Sequence, residues 1–192
     1  MRKKIGIFSG TFDPVHTGHI AFAIAAKEKF LLDEVLLMPE QLPRQKQNVT
    51  SIVHRKQMLV IAAQSYPDIH VITLDDDKQF TIKKTLAKLY KIRPGAQFVF
   101  LCGSDVVRTF TYRWEGLAEF LETTEVIVGL RGRDTAADVH EIFLSLSLKS
   151  KYEIIESPKH QISSAKFRSK SSQLQDISPL VAEYIAKNDL YS

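Results

Sequence analysis

Residues 10 to 19 read Gly10-Thr11-Phe12-Asp13-Pro14-Val15-His16-Thr17-Gly18-His19. A short apolar run, Ile5-Gly6-Ile7-Phe8, precedes them, and an alanine-rich amphipathic segment at 20–30 follows. That order predicts a strand, a glycine-rich turn and a helix, so a helix N-terminus lies just beyond a strand's carboxyl end. Unpaired backbone N–H groups and the positive end of the helix dipole converge there, which suits a phosphate. Gly10 lets backbone approach a ligand closely, and Pro14 stiffens the turn. His16 and His19 are three residues apart at the helix start and can present both imidazoles on one side.

Outward from this turn the chain alternates between strand-like and helix-like segments. Strands are expected at 4–9, 34–38, 69–74, 97–102, 125–129 and 152–155. Helices are expected at 17–30, 52–65, 81–90, 138–148, 164–172 and 179–187, with Ser51 and Thr81 as candidate caps. Phe98 to Cys102 is a continuous apolar run, as in a parallel strand covered on both faces. The alternation predicts an α/β fold, a Rossmann-like doubly wound parallel sheet with right-handed crossovers. It is expected to form a single domain over 1–192, with a small helical C-terminal extension from about 163. In such a sheet ligands sit beyond the carboxyl ends of the strands, at the switch point.

Composition narrows the function classes. The 192 residues carry 26 Lys+Arg against 22 Asp+Glu, a net charge of +4 that fits a binder of small anions. No dense basic block argues for nucleic acid. Cys102 is the only cysteine, which excludes a disulfide framework or a cysteine zinc site within the chain, and its apolar neighbours suggest a buried thiol. No apolar stretch approaches a membrane span and Met1-Arg2-Lys3-Lys4 lacks a signal peptide's apolar region, so a cytoplasmic location is expected.

The decapeptide resembles the nucleotidyltransferase superfamily signature G-x-F-D-P-x-H-x-G-H, and most of all that of the nicotinate or nicotinamide mononucleotide adenylyltransferases. A second stretch, Ile162-Ser163-Ser164-Ala165-Lys166-Phe167-Arg168, resembles the family's I-S-S-T-x-I-R. The resemblance covers nearly the whole chain, including Asn188-Asp189-Leu190-Tyr191. It implies transfer of AMP from ATP to a pyridine mononucleotide with release of pyrophosphate. His16, His19 and Arg168 would be the catalytic residues, and Ser9, Gly10, Thr11 and Phe12 would help bind the nucleotide. Ser163 or Ser164 can cap the helix that the second motif opens, and Arg168, one turn in, can offset charge on a leaving pyrophosphate.

Other matches fall just after expected strands. Gly103-Ser104-Asp105 resembles the family's G-x-D, and the Asp105 carboxylate offers two acceptors for ribose hydroxyls or a base; an Asp capping a helix near Val106 is the plainer alternative. Trp114 stands where the family stacks a tryptophan on the pyridine ring, and a core or edge tryptophan is its alternative. Arg131 follows the strand at 125–129, where the family tends to carry an arginine, and is a candidate contact to a phosphate or the base, with a solvent-exposed strand end as its alternative; Lys46 sits in Pro43-Arg44-Gln45-Lys46, which resembles P-x-x-K, and is a candidate phosphate contact. His54, Arg55 and Met58 also match a family stretch and are taken as helix packing and surface charge.

Two departures stand out. Ala165 replaces a Thr or Ser, which removes a hydroxyl but keeps the backbone N–H. Residues 75–86 lack the Arg-x-Gly of the nicotinate enzymes, although Phe80-Thr81 can stand for Tyr-Thr, which keeps Thr81 as a binding candidate. The implied partners are ATP and one pyridine mononucleotide, with no nucleic acid and no membrane, and a homo-oligomer stays open. The implied cofactor is Mg²⁺ arriving with ATP, with no metal ligands assigned in the chain. The alternatives are a phosphopantetheine adenylyltransferase, a cytidylyltransferase-like enzyme, or a nucleotide-binding regulator without turnover. The first usually has Thr where His16 stands, and the second carries a different C-terminal signature.

Overall fold

A computed structural model describes residues 2–43, 46–74, 80–112, 114–156, 161–169 and 176–191. Six strands, β1 (Lys4–Gly10), β2 (Glu34–Pro39), β3 (Ile69–Val71), β4 (Gln97–Gly103), β5 (Glu125–Gly129) and β6 (Tyr152–Ile155), form one sheet. Every pairing is parallel and the order is β3-β2-β1-β4-β5-β6. The chain runs from β1 to one edge and then restarts from β4 towards the other. The switch point therefore lies between β1 and β4, where Gly10 and Gly103 end neighbouring strands.

The helices are α1 (Thr17–Lys29), α2 (Ile52–Ala63), α3 (Ile82–Ile92), α4 (Ser104–Thr109), α5 (Leu117–Thr123), α6 (Ala136–Leu146), α7 (Ser164–Arg168) and α8 (Pro179–Lys187). Strand side chains alternate between two faces, and both are apolar. Ile5, Ile7, Leu36, Phe98, Phe100 and Val126 share a buried cluster with Leu89 of α3, Val107 of α4, Phe120 of α5 and Phe143 of α6. Phe8, Val35, Leu37, Val99, Leu101 and Ile127 instead join Phe22 of α1, Met58 of α2 and Val181 of α8. The approach of α1 is close: a Cβ at Gly129 would stand 2.9 Å from the Phe22 ring. That packing carries α1, and the turn before it, against the switch point.

Some expected elements change length. β3 stops at Val71, because it is an edge strand on β2 and Pro39 has no N–H with which to continue the ladder. α4 is the short helix weighed as an alternative near Val106, with Asp105 inside its first turn, and α5 is additional, too short to show a helical period in sequence. Ser51 and Thr81 occupy N-cap positions without accepting a cap bond, whereas Ser163 accepts one from Lys166 N–H at 3.2 Å and Ser178 one from Val181 N–H at 3.3 Å. Residues 75–79 of the departing 75–86 segment and the end of the helix expected at 164–172 lie outside the described residues. Among the described residues no helix is long and apolar enough to cross a membrane.

Candidate active site

A cavity of about 400 Å³ opens over the carboxyl ends of β1 and β4. Its basic half is lined by Gly10, Thr11, His19, Lys46, Arg131 and Arg168, with Ser164 at its side. Its aromatic half is lined by Phe80, Phe100, Tyr112 and Trp114. Gly103 has to be glycine at the junction, since a Cβ there would stand 3.0 Å from Arg131 Nε and overlap the Asp105 carboxylate. Asp105, in the first turn of α4, and Arg131, just beyond β5, thus face the cavity, and the Arg131 N–H donates to Ser104 Oγ at 2.9 Å.

The two histidines form one unit. Their rings stack with centroids 3.6 Å apart, and the His16 backbone N–H donates to His19 Nδ1 at 3.1 Å. Burial pushes the His19 imidazole well below its ordinary range, helped by the charges of His16, Arg131 and Lys46. The ring is therefore neutral, and with Nδ1 accepting, its proton sits on Nε2. His19 is a fixed neutral donor beside the cavity. His16 is brought down to about 3, first by burial and then by Arg131. It backs His19 and lines a second cavity behind the helix instead of the front one. Phe12, at a left-handed φ of 51°, sets its ring edge-on to His19 with centroids 4.9 Å apart. A bulky residue in that conformation is strained and persists only where its surroundings hold it.

Those surroundings centre on Asp13, whose carboxylate is buried at 2% exposure. Tyr191 Oη donates to Asp13 Oδ1 at 2.5 Å, and the Thr50 N–H reaches Oδ2 at 3.4 Å. The Arg168 guanidinium donates to the Asp13 carbonyl at 2.5 Å and lies 3.7 Å from Oδ2. Ser164 Oγ donates to the Pro14 carbonyl at 2.9 Å. From α2, Arg55 donates to the carbonyls of Thr11 and Thr50, both at 2.7 Å, and of Gln41 at 3.2 Å. Lys46 Nζ donates to Thr11 Oγ1 at 2.9 Å. The two sequence motifs, some 150 residues apart, are thus joined side chain to backbone.

In the aromatic half, Phe80 and Phe100 pack with centroids 5.0 Å apart, and Trp114 stands edge-on to Phe110 at 5.2 Å. With Tyr112 these side chains give an aromatic wall, fit to receive a planar ring. Glu40 closes its floor: Oε1 accepts from the Phe80 N–H at 3.2 Å and from Ser9 Oγ at 3.4 Å. Among the described residues no group of three or more His, Cys, Asp or Glu could hold a metal ion.

Of the residues singled out from sequence, Ser9, Gly10, Thr11, Phe12, His19, Lys46, Gly103, Asp105, Trp114, Arg131, Ser164 and Arg168 line the front cavity together. His16 lies behind it, and Ser163 caps α7. Thr81 stands outside the lining, with Oγ1 buried and unpartnered next to Phe80. One expectation is corrected: Arg55 is a fully buried anchor, not surface charge, because three carbonyls of the binding loops need its donors. Its place on one helical stripe with Met58 and Leu59 was the available signal. Glu40 follows a strand end, which also marks it. Tyr191 belongs to the C-terminal stretch that resembles the family, but nothing in the sequence pointed to its bond with Asp13.

A sheet of this order with an anion-suited turn and an aromatic wall at its switch point defines a nucleotide-handling α/β class. The cytidylyltransferase-like family matches residues 7–170, and the chain belongs to it. Two similar curated proteins are both named probable nicotinate-nucleotide adenylyltransferase. The one from Dictyoglomus turgidum is 30% identical over 195 residues, covering 98% of this chain and 95% of that protein. The one from Leifsonia xyli is 32% identical over 197 residues, covering 99% and 94%. Among solved structures, the Plasmodium falciparum nicotinic acid mononucleotide adenylyltransferase complexed with NaAD shares the fold, with a TM-score of 0.77 at 22% identity and coverage of 99% and 98%.

Proposed function

We propose that the protein transfers AMP from ATP to nicotinate mononucleotide and releases pyrophosphate, a step of NAD biosynthesis. The observation that carries this is the divided cavity at the switch point, where a neutral histidine donor and three cations adjoin an aromatic wall. The relatives' name agrees with it. The acceptor phosphate brings its own nucleophilic oxygen, so the reaction requires no enzyme nucleophile and no general base. That oxygen bonds to the α-phosphorus as the bond to the bridging oxygen breaks, and pyrophosphate leaves with the electron pair. Catalysis then consists of alignment and charge stabilisation.

In this assignment His19 Nε2–H donates to the α-phosphate, and His16 keeps the ring in place by stacking and through its backbone N–H. Arg168, held by Asp13, offsets the charge that grows on the leaving pyrophosphate, with Lys46 and the Ser163-Ser164 turn beside it. Ser9, Gly10, Thr11, Phe12, Gly103, Asp105 and Arg131 form the nucleotide's bed, and Asp105 accepts from ribose hydroxyls. Trp114 carries the pyridine ring. ATP would enter as its Mg²⁺ complex; with no metal-holding group of side chains among the described residues, the ion would come with the substrate and would neutralise part of the phosphate charge. We place the reaction in the cytoplasm, in one domain.

Pyrophosphate release with ATP, Mg²⁺ and, in parallel, nicotinate mononucleotide, nicotinamide mononucleotide or phosphopantetheine tests the assignment. The highest kcat/KM is expected with nicotinate mononucleotide. A preference for phosphopantetheine would refute the acceptor, and ATP binding without any release would identify a regulator.

A further inference from the structure

The cations that line the front cavity, Lys46, Arg131 and Arg168, belong to its basic half. The aromatic half receives a carboxylate instead, that of Glu40, which follows the end of β2 and lines the cavity next to Phe80. One oxygen, Oε1, is held by the Phe80 N–H at 3.2 Å and by Ser9 Oγ at 3.4 Å. The other, Oε2, has no hydrogen bond among the described residues, and Glu40 forms no ion pair there. Lys46 is near enough to feel the charge, but its ammonium is bonded to Thr11 Oγ1 at 2.9 Å. The backbone donors beside Glu40 are also engaged, Phe80 N–H by Oε1 and Thr81 N–H by Thr85 Oγ1 at 3.0 Å.

We propose that Glu40 is a specificity-determining residue for the acceptor, favouring a ring with a neutral, N–H-bearing substituent over a ring with a carboxylate. The inference rests on the acceptor reading above, in which the pyridine ring lies against this wall. A carboxylate only accepts hydrogen bonds, so Oε2 can take an N–H from a ring carboxamide. A ring carboxylate in the same place meets a like charge and no open donor, which is unfavourable. Discrimination of this kind works through repulsion of one ligand as much as attraction of the other. Glu40 thus narrows the margin by which nicotinate mononucleotide outbinds nicotinamide mononucleotide, and it admits the amide as a second acceptor. Ribose and phosphate are common to the two ligands, so the ratio of their affinities isolates the ring substituent.

The test is calorimetric titration of the full chain with each mononucleotide in turn, in the presence of a non-hydrolysable ATP analogue. It requires no turnover. Glu40→Gln keeps the length of the side chain and an oxygen for the Phe80 N–H, while it removes the charge and adds a donor. It is expected to tighten nicotinate mononucleotide about tenfold and to weaken nicotinamide mononucleotide severalfold. The ratio of kcat/KM values for dinucleotide formation should move with the ratio of Kd values. Glu40→Ala also frees the Phe80 N–H, should shift the ratio the same way, and serves if the glutamine settles in another rotamer. An unchanged ratio in both variants, or a shift towards the amide, overturns the proposal. So does an equal loss of both ligands, which would mark Glu40 as a structural tie between Phe80 and Ser9. Absence of binding by either mononucleotide would overturn it together with the acceptor reading. A shifted ratio without dinucleotide would uphold it and reject adenylyl transfer alone.

Discussion

In the basic half of the front cavity, the Gly10 to His19 turn is tied down by hydrogen bonds from distant parts of the chain: Arg55, Arg168 and Tyr191. In the aromatic half, Phe80, Phe100 and Trp114 are held by edge-on and tilted ring packing. Hydrogen bonds to a buried carboxylate and to carbonyls fix directions, whereas aromatic packing fixes a surface and tolerates small shifts. The difference matches two tasks. Charge that develops during reaction is met by donors already in place, and a bound ring needs a platform.

The sharpest way to break this division is His19→Ala. Loss of one preorganised donor is expected to lower kcat about 100-fold or more, with thermal unfolding little changed. Near-normal turnover would remove the basic half's claim to the chemistry. Arg55→Met comes next. It leaves three loop carbonyls without their donors and should cost about 3 kcal/mol in urea unfolding, with a matching loss of kcat. Trp114→Ala tests the other half: KM for the acceptor should rise about tenfold while kcat stays within a few-fold. A kcat loss as large as that of His19→Ala would show that the two halves are not separable.

Tyr191→Phe removes only the hydroxyl on Asp13. A cost of about 1–2 kcal/mol is expected, with kcat reduced severalfold and KM values unchanged. Burial and the Asp13 bond raise the Tyr191 phenol above its ordinary range, so its hydroxyl stays a donor at any working pH. The smallest effect per step is on acid stability. His16 falls from 6.5 in the unfolded chain to about 3 when folded, so the unfolded chain binds the extra proton between those values. The His16 contribution is complete above pH 6.5 and drops by about 1.4 kcal/mol per pH unit below it, and His19, also held low, adds to the same decline. His16→Gln should make that decline shallower, leaving the His19 share, in urea midpoints measured from pH 7 to 4. An unchanged slope would show that the histidine is not held neutral.

The sheet was legible because its strands are covered on both faces and so read as apolar runs, as at Phe98 to Cys102. Both motif turns were legible because glycine, proline, histidine and serine at fixed spacings have few other uses together. Contacts that depend on long loops were not. Arg55 looks like a surface charge until three carbonyls converge on it, and Tyr191 meets Asp13 across 178 positions of chain. His16 and His19 read as equals from their spacing. Packing separates them, one facing the front cavity and one the rear.

The central claim is adenylyl transfer driven by the basic half, and product stoichiometry tests it most directly. With ATP and nicotinate mononucleotide, the wild-type chain is expected to form one dinucleotide for each pyrophosphate, and His19→Ala to form both about 100-fold more slowly. Pyrophosphate or phosphate appearing without the dinucleotide, or equal rates in the two proteins, would contradict it.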